Sequence, residues 1–386
     1  MKMPKLVWLL VIGMAVNVTG ASFIWPLNTI YIHNELGKSL SVAGIVLMLN
    51  SGASVVGNLI GGQMFDRFGG YLSVMTGIMV ALISLVGMVV IHSWPWYPVW
   101  LILVGFGSGI VFPSIYAMAG VAWPEGGRRT FNAIYLAQNL GVALGAALGG
   151  FMADISFNII FVANLVLFVV FFLIALFGYR EAGQLHKGRK VEEVKKIVDK
   201  SRYHALLLIC AAYCLCWIGY VQWQTTISSY TQTIGISLQQ YSMLWAINGV
   251  LILVGQPLIR PVIRLIEDKI KTQIAVGISI FIVSFIVTIY AENFVMFVIG
   301  MVILTIGEMF VWPAVPTIAN MLAPEGRVGT YQGIVNSTAT LGRAIGPVVG
   351  GVIVDLYNMQ VMFGVMIALL VVSFVFLKVY DRGLAK

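Results

Sequence analysis

Polar residues interrupt this chain at intervals that leave twelve apolar runs, roughly 6–32, 40–62, 71–91, 97–120, 130–153, 157–179, 203–232, 240–262, 272–291, 295–320, 328–354 and 359–380. A helix needs about 20 apolar residues to cross the hydrocarbon core of a bilayer. Each run therefore predicts a membrane-spanning helix, and the fold class is an all-α integral membrane protein. Most connections are short. The exception is REAGQLHKGRKVEEVKKIVDKSR at 180–202, which is polar and densely charged. It predicts a six-helix bundle over 1–179, a linker over 180–202 and a second six-helix bundle over 203–386. The first run follows Lys2 and Lys5 and is too long for the apolar region of a signal peptide, so it is expected to remain as a span.

The two halves repeat one another. GSGIVFP (107–113) matches GEMFVWP (307–313), and WPEGGRRTFNAI (123–134) matches APEGRVGTYQGI (323–334) at the same offset. GVALGAALGGFMAD (141–154) then matches GRAIGPVVGGVIVD (342–355) one residue further along. Spans 4–5 and 10–11 are thus duplicates. Six spans per copy give both copies one orientation, which is a parallel repeat about an axis along the membrane normal. That pseudo-symmetry suits a transporter whose halves rock about a central cavity.

Composition agrees and excludes soluble classes. Hydrophobic residues make up 60% of the chain and charged residues 10%, whereas soluble domains carry about a quarter charged residues. The net charge of +8 would suggest nucleic acid in a soluble protein, but here it partitions by side. With a cytosolic N-terminus, 21 basic and 10 acidic residues fall in cytosolic segments or, for Arg260 and Lys378, at the cytosolic ends of spans, a net of +11. The outer segments hold Lys38 against four acids, a net of −3. This bias predicts both termini in the cytosol and a multi-pass protein of the cell membrane. No nucleic-acid partner is needed. Cys210, Cys214 and Cys216 share one apolar run without metal-ligand spacing and read as buried hydrophobes.

Span 11 places Gly342, Gly346 and Gly350 every four residues with Pro347 beside them, and span 5 places Gly141, Gly145 and Gly149, with Gly150, in register. Each stripe lies on one helix face, where small residues let backbones approach closely. Tight static packing and a sliding seam are both open. After span 2 the sequence GGQMFDRFGG supplies Gly62, Asp66, Arg67 and Gly69. Glycines permit a tight turn there. Asp66 can accept hydrogen bonds from a helix N-terminus, where negative charge is favoured. Such a contact would act as a gating latch; an ordinary polar turn is the alternative.

The pattern G-x-x-x-D-R-x-G at 62–69, with the repeated glycine motif of spans 5 and 11, resembles the major facilitator superfamily over essentially the whole chain. The glycine motif is similar to that of its twelve-helix drug/proton antiporter branch. RRTFNAIYLAQNLGVALGAALGG (128–150) and TIGEMFVWPAVPT (305–317) look like the lactococcal multidrug/proton antiporter type. The chain departs from that pattern at Ala146, at Gly70 and Tyr71, and at Val121 and Ile134, where that type carries proline, basic and acidic residues respectively. The resemblance implies proton coupling at Glu308, a conformational latch at Asp66, and a cavity walled by spans 1, 4, 7 and 10.

Away from the span ends only Glu308 and Arg343 are charged within spans; Arg260 and Lys378 sit at the cytosolic ends of theirs. A charge at that depth costs at least about 2.5–3.5 kcal/mol and is a functional candidate by default. Glu308 can exchange a proton with a cation or water. Arg343, in the middle of span 11, can pair with Glu308, contact an anionic substrate group or line an interface; the sequence leaves these open. Tyr213, Trp217, Tyr220 and Gln224 share one face of span 7 by spacing, Asn17, Trp25 and Asn28 one face of span 1, and Trp312 lies one turn from Glu308. An aromatic wall with one carboxylate suits a lipophilic cation.

The expected activity is therefore proton-coupled efflux of lipophilic, cationic small molecules, by a monomer in the bilayer whose only cofactor is the coupling proton. The alternative is a symporter or facilitator for a small, anionic metabolite. An enzyme is not expected. His33, His92, His186 and His204 lie in loops or at span ends, and no metal or nucleophile–base set stands out.

Overall fold

The structure is a computed structural model that describes residues 3–24, 27–153, 156–180, 200–266 and 269–384. The described residues form twelve long helices and no strand. The first six are α1 (Lys5–Ile24), α2 (Leu40–Phe68), α3 (Gly70–Val90), α4 (Trp96–Ala122), α5 (Arg128–Ala153) and α6 (Phe157–Gly178). The second six are α7 (Lys200–Val221), α8 (Leu238–Leu265), α9 (Ile270–Ile289), α10 (Phe294–Val311), α11 (Val328–Leu356) and α12 (Met359–Val379). Eleven of these spans are long and apolar enough to cross a membrane. The remaining one, α8, matches the others in length but carries Gln240, Asn248, Gln256, Arg260 and Arg264. The twelve-helix expectation holds.

Local chemistry sets the helix ends. Ser39, Asn293 and Asn358 cap α2, α10 and α12 by accepting backbone N–H bonds from Val42, Met296 and Val361, which satisfies donors that a helix start leaves orphaned. The expected loop GGQMFDRFGG at 61–70 is largely helix instead. α2 runs through Gly62, Asp66 and Arg67 to Phe68, and Gly69 alone joins it to α3. Gly69 makes the turn at φ +88°, a backbone conformation glycine adopts without steric cost. Span 10 is interrupted at Pro313, whose missing N–H ends α10; the short helix Ala314–Leu322 follows. At the duplicate position in the first half, α4 passes through Pro113 unbroken, and α11 likewise passes through Pro347.

The chain divides into two units. One is Met1–Ile197 with Ala323–Ser337, and the other is Val198–Leu322 with Thr338–Lys386. A division at 180–202 alone does not describe this, because residues 323–337 group with the first unit and the boundary falls inside α11. The reason is close backbone packing at the start of α11. A Cβ on Gly333 would run into the Asn58 carbonyl oxygen, and Ser337 donates its hydroxyl to the Val55 carbonyl at 3.2 Å.

Within the first unit α5 lies on α1, and Cβ atoms at Gly141, Gly145 and Gly149 would meet the Ala15 carbonyl, the Thr19 carbonyl and Phe23. Gly150 follows in the same helix. Leu10, Ile78, Val111, Ile115, Phe131, Phe168 and Phe171 fill the core beside this seam. Within the second unit the duplicate stripe on α11 faces α7. Cβ atoms at Gly342, Gly346 and Gly350 would meet Trp217, Val221 and the Gln222 amide. Both stripes thus serve backbone approach, in an environment where lipid supplies no hydrophobic force between helices.

Candidate functional site

Residues four and three apart on a helix share a face, and α7 brings Tyr213, Trp217 and Tyr220 to the same side. Trp312, at the C-terminal cap of α10, meets them there. The indoles of Trp217 and Trp312 stack with centroids 4.4 Å apart and planes 2° from parallel. Tyr213 and Tyr220 each set an edge against Trp312 at 5.4 Å, and Tyr220 also meets Trp217 edge-on at 5.4 Å. Edge-to-face and offset contacts of this sort are favoured by the ring quadrupole. Arg343 caps the cluster, its guanidinium carbon 4.7 Å from the Trp217 centroid. Its Nη2 donates a long hydrogen bond of 3.4 Å to the Thr340 hydroxyl. The indole N–H of Trp312 is buried and meets no acceptor among the described residues.

Glu308 adjoins these rings. It is 3% exposed, and its Oε2 accepts from the Tyr220 hydroxyl at 3.1 Å and from the Asn248 amide at 2.9 Å. The same amide nitrogen donates to the Thr305 hydroxyl at 2.8 Å, and that hydroxyl in turn donates to the Met301 carbonyl at 2.7 Å. Tyr220 therefore belongs to both systems, with its ring against the indoles and its hydroxyl on the acid. Sequence reasoning missed Asn248 and Thr305. An amide alone in an apolar run was the signal for Asn248, since a buried amide must find partners.

In the first unit, Asp66 grips the start of α11. Its Oδ1 accepts the Gly329 backbone N–H at 2.8 Å, and its Oδ2 accepts both the Thr330 backbone N–H at 2.8 Å and the Thr330 hydroxyl. The first turn of a helix leaves N–H groups unpaired and carries partial positive charge, so a carboxylate there is stabilised twice. Gly62 turns out not to shape the turn. It is buried within α2, and its hydrogen face packs on the Gly329 carbonyl. Arg67 is exposed.

Other sequence candidates go elsewhere. Trp25 lies outside the described residues. Asn28 accepts the Tyr97 hydroxyl at 2.6 Å, where Tyr31, Tyr97 and Phe161 pack together. Asn17 is buried with its amide nitrogen unpaired. Gln224 does not continue the face of α7, because the α-helix ends at Val221 and residues 222–224 tighten to a 3-10 turn. Gln222 is the buried amide instead. It donates to the carbonyls of Ile218 and Gly346 at 2.8 Å each, and accepts from the Thr226 hydroxyl at 2.7 Å. No group of three or more metal-ligating side chains exists among the described residues.

A family model described as Major Facilitator Superfamily matches residues 10–289 and 225–384. The chain belongs to the Major Facilitator Superfamily. Its relatives in that family include an uncharacterised MFS-type transporter of Bacillus subtilis, YttB, which is 56% identical over 98% of this chain and 96% of its own length. Another is multidrug resistance protein MdtH of Salmonella paratyphi B, 25% identical over 90% of this chain and 86% of its own. Among solved structures, a bacterial homologue of the iron transporter ferroportin in an outward-facing state superposes with TM-score 0.82, at 14% identity over 98% of this chain and 99% of that one. The human organic anion transporter MFSD10 superposes with TM-score 0.72 at 16% identity, over 97% and 99%. These two share the fold. The protein is thus a multi-pass membrane transporter of this superfamily, acting on a small molecule.

Proposed function

We propose that this transporter exports lipophilic organic cations in exchange for protons, across a cell membrane in which both termini face the cytosol. The observation that carries the reading is Glu308, a carboxylic acid buried in α10 and held by a hydroxyl and an amide beside stacked indoles. Both donors bond one oxygen, Oε2. A cation on the indoles and a proton on the acid then oppose each other, and that opposition is reciprocal. Aromatic faces attract organic cations through the ring quadrupole, and one distant relative is a multidrug resistance protein by name. The likeness of 128–150 and 305–317 to the lactococcal antiporter type points the same way.

Asp66, with Gly62 and Gly69 shaping its surroundings and Arg67 beside it, serves in this reading as the latch on α11. The grip must release and re-form as the transporter alternates its access, because the first turns of α11 group with one unit and the rest with the other. The exposed guanidinium of Arg343 supports a second reading, in which the substrate is a small anion.

Inside-out vesicles with an imposed pH gradient test the proposal. Wild-type protein should accumulate a fluorescent organic cation, and Glu308→Gln should abolish accumulation at unchanged expression. Full accumulation by Glu308→Gln defeats the coupling role. Inhibition by organic anions but not by cations favours the second reading.

A further inference from the structure

Arg343 is the exposed member of a cluster whose other rings are buried or half-buried. Its position follows from the glycine before it. A Cβ at Gly342 would fall 2.7 Å from the Trp217 Cβ, so α11 approaches α7 as closely as backbone allows and lays the next side chain across the indole. A guanidinium is a flat, delocalised cation that stacks on aromatic faces and is only weakly hydrated. Its long bond to Thr340, at 3.4 Å, is near the limit of a hydrogen bond. Beyond the ring, Tyr220 packs edge-on against Trp217 at 5.4 Å and bonds Glu308 at 3.1 Å, so a carboxylate lies one side chain away from whatever occupies that face.

We propose that Arg343 is a built-in occupant of a planar-cation site: it covers the face of Trp217 on which a flat, delocalised organic cation stacks, and such a substrate binds by displacing it. The proposal rests on the cationic-substrate reading above and narrows it by shape. A flat cation gains the whole indole face. A tetrahedral cation such as tetraphenylphosphonium cannot lie against it and gains little. The guanidinium acts as an internal competitor, which lowers affinity for planar cations and keeps the indole covered when no substrate is present.

The test is equilibrium binding to the purified full chain in detergent, without a pH gradient, with ethidium as the planar probe and tetraphenylphosphonium as the bulky one. Arg343→Ala should tighten ethidium about two- to fivefold, the range an exposed cation–π contact represents. Tetraphenylphosphonium should change less than twofold. The ethidium gain should vanish when Trp217→Ala is added. Arg343→Gln gives the same comparison if the alanine variant does not fold.

Unchanged or weakened ethidium binding overturns the proposal, as does equal tightening of both probes, which would reflect charge removal alone. Absence of ethidium binding to every variant also overturns it. That result leaves proton-coupled export of other cations to the vesicle assay. Conversely, loss of coupling in vesicles leaves the binding comparison standing.

Discussion

Gly62 and Gly329 meet backbone to backbone: a Cβ placed on either would press into the other's carbonyl oxygen. Gly62→Ala should therefore destabilise the protein by about 1–3 kcal/mol, the usual cost of overpacking. Gly44 and Gly52, on the same helix, have open space where a Cβ would go. Alanine at either should be neutral, or stabilising by up to about 1 kcal/mol through helix propensity. Thermal unfolding of the three variants in one detergent makes the comparison, and equal shifts for all three would refute the packing.

Asp66 holds two backbone donors and one hydroxyl on α11. Asn in its place keeps one acceptor and turns an N–H₂ towards a donor. Hydrogen bonds to charged groups contribute about 1.5–3 kcal/mol, so Asp66→Asn should slow turnover about tenfold or more. Affinity for ethidium should stay within twofold. Thr330→Val, which spares both backbone donors, should show the smaller defect. Initial transport rates set against equilibrium binding check this, and a pure binding defect would count against a latch.

Asn248 is the shared donor of Glu308 and Thr305. Asn248→Ala leaves a buried carboxylate oxygen and a hydroxyl short of a partner, a loss of about 1–3 kcal/mol. Gradient-driven cation uptake should fall about tenfold or more, with expression maintained. Asn248→Asp, which removes the amide donor and adds a second acid, should fail to restore it. Uptake and thermal stability measured on the same preparations distinguish a coupling defect from misfolding.

Gly350 abuts the Gln222 amide, which bonds the Gly346 carbonyl. Gly350→Ala must push that amide aside and break the bond between α7 and α11. A lowered unfolding temperature is expected, with partial recovery in Gly350→Ala combined with Gln222→Ala, because the truncated side chain vacates the space. No recovery in the double variant would show that the clash lies elsewhere.

Much of the site was legible because its signals are local. Tyr213, Trp217 and Tyr220 shared a face by helical spacing, the two stripes of glycine every fourth residue announced close seams, and Asp66 was expected to accept from a helix N-terminus. What escaped depended on partners remote in sequence. Nothing near Asp66 indicated that the helix would be α11, some 260 residues later. Gln224 was misplaced because helical extrapolation assumes an unbroken helix, and α7 changes pitch at Gln222. Gly62 was read as a turn residue because glycines permit a tight turn, whereas α2 continues past it as helix. Asn28 satisfies Tyr97, a pairing that no period along one chain reveals.

The central claim is that Glu308 gives up a proton when a cation binds. It is tested most directly by adding ethidium to the concentrated, weakly buffered purified protein and recording proton release with a pH indicator. The account predicts release that saturates with ethidium binding in the wild type and disappears in Glu308→Gln, with ethidium still bound. Equal release from both proteins, or binding to the wild type without any release, would contradict it.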